Sequence, residues 1–221
     1  MFLQSIKLLK TCLKWKPSNI TYNVSLRRMM SDIKDNHIVW IDMEMTGLDI
    51  ETCHILEISC LITDNNLKII TEPLNIVLNQ PDSILNNMND WCKIHHAKSK
   101  LIEEVKNSKI FLKDAEQIVL KFLENYVPRG KCPLAGNSVY MDRLFLNKYM
   151  PLVNDYLHYR IIDVSSIKEV VRRWNPEIYN FCSPKTLKHR ATSDIIESIQ
   201  ELTYYKDHIF LSQNSKENFL N

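Results

Sequence analysis

His37-Ile-Val-Trp-Ile-Asp-Met-Glu-Met-Thr-Gly-Leu48 is the stretch whose reading decides the fold. It reads as a short buried strand that gives way at Thr46-Gly47. Ile38, Trp40, Asp42 and Glu44 fall on one face, and Val39, Ile41 and Met43 on the other. Both faces begin apolar, which predicts a central strand covered on each side. Asp42 and Glu44 then project the same way with roughly 7 Å between their alpha-carbons. Charges at a covered strand end are costly unless matched, so a cation is expected there.

Outward from this strand, the bulk composition sets limits. The 221 residues suffice for one domain with a substantial core, and 45% hydrophobic with 24% charged residues is ordinary for a soluble globular protein. The net charge of +2 is unevenly spread. Residues 1–31 hold six Lys/Arg and no acid, leaving 22 basic against 26 acidic residues, a net of −4, for the rest. A body without basic excess does not suit long-range capture of nucleic acid, so few phosphate contacts are expected. The six scattered cysteines form no Cys-x-x-Cys pair, which favours reduced thiols over disulfides or a zinc site. No apolar run approaches the roughly 18–20 residues of a membrane span.

The N-terminus reads as an address. Ile6, Leu9 and Leu13 recur at helical spacing with Phe2 one turn earlier, Lys7, Lys10 and Lys14 line another face, and Pro17 stops the helix. An acid-free, basic, amphipathic start is the composition of a mitochondrial transit peptide, with a disordered tail or membrane-surface helix as the alternative. Met29 or Met30 offers an internal start for a shorter cytosolic or nuclear product.

Beyond the opening strand, Ile55–Thr63 and Leu67–Leu78 flank Asp64-Asn65-Asn66, whose asparagines tolerate the positive φ of a hairpin turn. Connections this short predict a three-stranded antiparallel meander. Residues 82–127 read as helical, with Ala115, Ile118, Val119, Phe122, Leu123 and Tyr126 as the clearest core-facing stripe. Strands are predicted at Cys132–Ala135 and Tyr159–Ile162, parallel to the first. Helices follow, one capped by Asn137 or Ser138 and one running to about Trp174. A loop over Asn175–Lys188 leads to a last helix from about Ala191 to Phe210.

Two more acids are out of place. Asp142 lies one turn into a helix, on the face of Phe145 and Tyr149; Asp194 lies near the start of the last helix beside Ile195, Ile199 and Leu202. Taken singly, helix capping and dipole effects account for Asp142, and Asp194 is unremarkable. Four carboxylates converging on one sheet end repel unless hard divalent ions lie among them, and Mg²⁺ or Mn²⁺ is the match. Two ions about 4 Å apart would clamp the attacking and leaving oxygens of a phosphodiester. His189, where the last loop ends, is placed to take a proton from water.

Trp40-Ile-Asp-Met-Glu-Met-Thr-Gly-Leu48, Ala135-Gly-Asn-Ser-Val-Tyr-Met-Asp142, His158-Tyr-Arg-Ile-Ile-Asp-Val-Ser165 and His189-Arg-Ala-Thr-Ser-Asp194 resemble the oligoribonuclease family of DEDDh 3′→5′ exonucleases. The resemblance runs from about residue 36 to 210. It implies a ribonuclease-H-like α/β fold, a five-stranded mixed sheet surrounded by helices. It divides the chain into a transit or disordered segment (1–35), an exonuclease domain (36–211) and a disordered tail (212–221). Asp42, Glu44, Asp142 and Asp194 become the ligands of two Mg²⁺ or Mn²⁺ ions, and His189 the general base. Leu48 and Trp91 would flank the bases of the substrate. Ser138, Arg160 and Ser165, with His96 nearby, would lie about its 5′ end, and Tyr159 would serve the partner's site in a homodimer. The implied partner is a single-stranded RNA of roughly two to five nucleotides, with no membrane.

Individual residues keep plainer readings: Trp91 as a core aromatic, Ser165 as a helix cap. The sequence departs from the family in three places. Thr192-Ser193 replace Leu-Asp, Lys100 stands where glycine commonly follows serine, and Met141 replaces a more polar residue. The competing functions are a DEDDh exonuclease acting on DNA or structured RNA ends, and a catalytically silent RNA-binding dimer.

Overall fold

The structure, a computed structural model, describes residues 34–182 and 189–210. The basic N-terminal segment, the second half of the 175–188 loop and the polar tail expected after Leu211 lie outside the described residues. Ile38–Met45 forms β1, Ile55–Thr63 β2, Leu74–Val77 β3, Leu134–Gly136 β4 and Ile161–Asp163 β5. They make one mixed sheet in the order β3-β2-β1-β4-β5. β1 is its central strand, antiparallel to β2 and parallel to β4, which is parallel to β5.

The meander forms as the sequence predicts, with two corrections. The third strand is confined to Leu74–Val77, preceded only by an isolated bridge between Thr63 and Ile69. Leu67, and neither asparagine, takes the positive φ of the turn (71°). The Asp64 carboxylate instead accepts from the backbone N–H groups of Asn66 and Lys68, which tightens the turn.

Nine helices are described: Asp82–Asn86 (α1), Asp90–Lys98 (α2), Leu101–Asn107 (α3), Leu112–Tyr126 (α4), Tyr140–Tyr149 (α5), Pro151–Tyr156 (α6), Val164–Trp174 (α7), Pro176–Phe181 (α8) and Ala191–Ile209 (α9). The stretch read as helical over 82–127 is thus four helices. One break falls at Lys100, which adopts the left-handed conformation (φ 63°) that glycine takes without strain. The Asn175–Lys188 segment is not all loop: Pro176 opens α8, where its missing N–H is harmless. The helix after β4 is not capped by Asn137 or Ser138. Ser138 has φ 51° and the helix begins at Tyr140.

Val39, Ile41 and Met43 pack with Ala115, Val119 and Leu123 of α4 and Phe145 and Leu146 of α5. On the other face, Trp40 and Leu61 pack with Val164 and Val171 of α7 and Ile195, Ile199 and Tyr205 of α9. The α4 stripe is rotated from its sequence reading. Ile118 and Tyr126 are exposed, while Glu116 is buried and accepts the Leu152 N–H at the start of α6 (2.7 Å). With apolar layers on both sides, β1 is held rigidly, and truncating Ile41 to Ala would cost about 3 kcal/mol. Among the described residues no helix is long and apolar enough to cross a membrane.

Candidate active site

The C-terminal ends of the parallel strands β1, β4 and β5 open on one edge of the sheet, where α/β proteins bind ligands. Asp42 and Glu44 stand at the end of β1 on the face covered by α9, and Asp194 lies in the first turn of that helix. Carboxylate oxygens of these three residues lie within 4.8 Å of one another. Asp142 comes from α5 on the opposite face and is outside that tightest group, although its charge is felt at Glu44. It is buried, and the backbone at Met43 hydrogen-bonds its carboxylate.

Burial pushes the Glu44 carboxyl up to about 8, and the charges of Asp194, Glu57 and Asp142 push the same way. Asp142 is likewise pushed up to about 8, chiefly by burial. Carboxyls this close and this dry do not carry their full charge at neutral pH without a cation. An all-oxygen donor set of this kind fits a hard divalent ion.

Beside Glu44 opens a cleft of about 500 Å³ lined by Met43, Glu44, Leu48, Trp91, Cys92 and His96. Leu48 and Trp91, at 68% and 55% exposed, present apolar surface to it, so Trp91 is not a core aromatic. Gly47 leaves room for the Cys53 side chain: a Cβ would stand 2.7 Å from its Sγ. His96 is 1% exposed, with Nε2 2.9 Å from the Met45 carbonyl and Nδ1 3.7 Å from Glu44 Oε2. Its described partners belong to β1, so it stands directly behind Glu44.

His189 also has a positive φ (51°). Its ring stands edge-on to Trp91 (5.3 Å) and His95 (4.8 Å), and His95 stacks on Trp91 at 4.0 Å. Burial and the nearby His95 and Lys98 lower its pKa, which keeps the imidazole neutral.

Ser138 and Ser165 meet past the ends of β4 and β5. The Ser138 N–H faces both Asp163 Oδ1 and Ser165 Oγ at 3.0 Å, and the two hydroxyls are 3.2 Å apart. Asp163, not Ser165, caps α7, accepting from the Ser165 N–H at 2.9 Å. Tyr159 and Arg160 sit before β5, at its other end from Ser165. The Arg160 guanidinium lies 5.3 Å over the Tyr159 ring, and that ring is 73% exposed. Within one chain, then, the described contacts join Ser138 to Ser165 and leave Arg160 with Tyr159.

Sequence reasoning missed Glu57, Glu104 and Arg190. Glu57 lies on β2 opposite Glu44 and is fully buried, with Arg190 forked across it and Glu104. A lone acid in the otherwise apolar run Ile55–Thr63 was the available signal.

Residues 39–202 match the RNase T exonuclease family. Human mitochondrial oligoribonuclease is 54% identical over 173 residues, covering 78% of this chain and 73% of the relative. A probable oligoribonuclease of Drosophila melanogaster is 48% identical (87% and 92% covered), and the oligoribonuclease of Chromobacterium violaceum 45% (78% and 95%). Among solved structures, E. coli exonuclease I with a dA16 oligonucleotide superposes with a TM-score of 0.62 at 13% identity. That match covers 78% of this chain but only 41% of the exonuclease, and it shows a common ribonuclease-H-like fold. With close relatives aligned over most of their length and the exonuclease signature spanning the sheet and its acids, the chain belongs to the oligoribonuclease family of exonucleases.

Proposed function

We propose that the chain is a divalent-metal-dependent 3′→5′ exoribonuclease that cuts RNAs of roughly two to five nucleotides to 5′-mononucleotides. The observation that carries this reading is the cluster of Asp42, Glu44 and Asp194 oxygens within 4.8 Å, with Glu44 held near 8 by burial and like charge. Asp42, Glu44, Asp142 and Asp194 would hold two Mg²⁺ or Mn²⁺ ions. When bound, such a pair stabilises the attacking and leaving oxygens of a phosphodiester.

The protein's own part is orientation and proton movement. His189, neutral at pH 7, accepts a proton from the water that attacks the last phosphodiester. The P–O3′ bond breaks, the departing 3′-oxygen takes a proton, and the terminal residue leaves as a 5′-mononucleotide. Leu48 and Trp91 receive the bases between them by stacking and wedging. Ser138 and Ser165 offer hydroxyls to the 5′ terminus, and Arg160 supplies a cation for its phosphate. The exposed Tyr159 serves a second copy in a homodimer. The basic, acid-free N-terminus and the mitochondrial relatives support import into mitochondria, with the internal methionines as a source of a second product elsewhere.

The test is turnover of 5′-labelled RNAs of about two to seven nucleotides with Mg²⁺ or Mn²⁺, beside the Asp42→Ala variant. The expected result is cleavage of the dinucleotide, abolished by the substitution. Failure to cut the dinucleotide, or a preference for long RNA, contradicts the reading. Indifference to Arg160→Ala would point instead to substrates with no bound terminal phosphate.

A further inference from the structure

His189 and Asp194 are separated by four residues, and the first three are tied to the sheet. The Arg190 guanidinium donates to both oxygens of Glu57 (Nε at 3.2 and 3.3 Å) and to both of Glu104 (Nη1 and Nη2, each at 2.8 Å). The Ala191 N–H donates to Glu57 Oε2 at 3.1 Å, which satisfies one of the open donors at the start of α9. Thr192 Oγ1 is 2.8 Å from Ser59 Oγ and 3.2 Å from Asn75 Oδ1, and Asn75 Nδ2 donates to Glu57 Oε1 at 2.9 Å. α9 has no side-chain cap of its own at Arg190, so Glu57 acts as its cap from the neighbouring strand. Thr192, which departs from the family pattern, is a member of this network.

The partners come from β2, β3 and α3, so three elements converge on residues 190–192. Glu57 also lies directly across the ladder from Glu44. Each side of the network therefore borders the carboxylate cluster.

We propose that Arg190 is a positioning residue, whose fork across Glu57 and Glu104 fixes the segment between His189 and Asp194 against β2. It does not touch substrate. It ends the loop bearing His189 at one defined point and sets the angle at which the first turn of α9 delivers Asp194. The guanidinium also answers the buried Glu57 charge, which otherwise adds to the negative field at Glu44. Lysine keeps the charge but cannot fork to two carboxylates. This proposal rests on the reading of His189 and Asp194 given under the proposed function.

The test compares Arg190→Lys and Glu104→Gln with the unmodified chain in two assays: Mn²⁺ affinity by calorimetry without RNA, and steady-state cleavage of an RNA dinucleotide. Arg190→Lys is expected to weaken Mn²⁺ binding about tenfold and lower kcat about 10- to 100-fold, the range for residues that orient ligands. KM should stay within about threefold, because the stacking surface is untouched. A purely structural role would lower the melting temperature and leave both quantities intact in the folded protein. That result, or a loss confined to KM, overturns the proposal. Should Arg190→Lys fail to fold, Glu104→Gln decides. This outer partner is half-exposed, and its loss should lower kcat several-fold at unchanged KM and melting temperature; an unchanged kcat overturns the proposal. If the unmodified chain cuts no RNA, the functional reading falls, while the Mn²⁺ arm still decides the positioning role.

Discussion

Glu44 and Glu57 sit opposite one another on β1 and β2, point to the same face and are both largely buried, yet their surroundings differ in kind. Glu57 is answered: a bidentate arginine, an amide from Asn75 and a backbone N–H from Ala191 converge on its two oxygens. Burial first, and then the charges of Asp194, Glu57 and Asp142, push the Glu44 carboxyl up to about 8 against the smaller opposing pull of Arg190, and beside it stands a histidine whose own pKa is lowered by burial. One acid is complete within the protein and acts as structure. The other is complete only with cations from outside. A buried charge does not mark a functional site; a buried charge whose partners share its sign does.

The contrast is sharpest under isosteric substitution. Glu44→Gln is expected to lower dinucleotide turnover by about 10³-fold or more, whereas Glu57→Gln, which keeps its shape but turns one of two accepting oxygens into a donor, should cost only about tenfold. Equal losses would erase the distinction. Next in size is His189→Ala, expected to lower kcat about 10²- to 10³-fold and to remove the acidic limb of its pH profile. Because burial lowers the His189 pKa, that limb should lie below about pH 6.5. Trp91→Ala should raise KM about tenfold through lost base stacking, with kcat little changed.

The smallest effect concerns stability without metal. Glu44 and Asp142 have folded values near 8, above their ordinary values of 4.5 and 3.8. Their contribution is fully present below about pH 4 and is lost as pH rises towards 8. The metal-free protein should therefore melt about 5 °C lower at pH 8 than at pH 5. Mg²⁺ or Mn²⁺ should restore more stability at pH 8 than at pH 5, and a metal-free melting temperature that rises over this range would contradict the burial of these acids. Differential scanning fluorimetry measures both.

What was legible in the sequence follows from the range over which each signal acts. The apolar alternation of Ile38–Met43 and the two acids after it are local, and they correctly placed β1 at the sheet centre with its carboxylates at one end. Asp194 could be added because helix and sheet layers pack in few ways. The Arg190 network was not legible as a whole: Glu57 stands out as a lone acid in an apolar strand, but Glu104 and Arg190 are far from it in sequence and each reads alone as a solvated charge. Turn details failed for a related reason. Leu67, Lys100, Ser138 and His189 all adopt positive φ against their intrinsic preference, held there by surrounding contacts that no local pattern encodes. The meeting of Ser138 with Ser165 depends on the parallel pairing of β4 with β5, which sequence order alone does not give.

The most direct test of the central claim, that Glu44 belongs to a cation site and Glu57 does not, is a Mn²⁺ titration of the two glutamine variants beside the unmodified chain. The account predicts about two ions for the unmodified chain and for Glu57→Gln, and the loss of at least one with Glu44→Gln. Retention of the full complement by Glu44→Gln, or its loss only with Glu57→Gln, would contradict it.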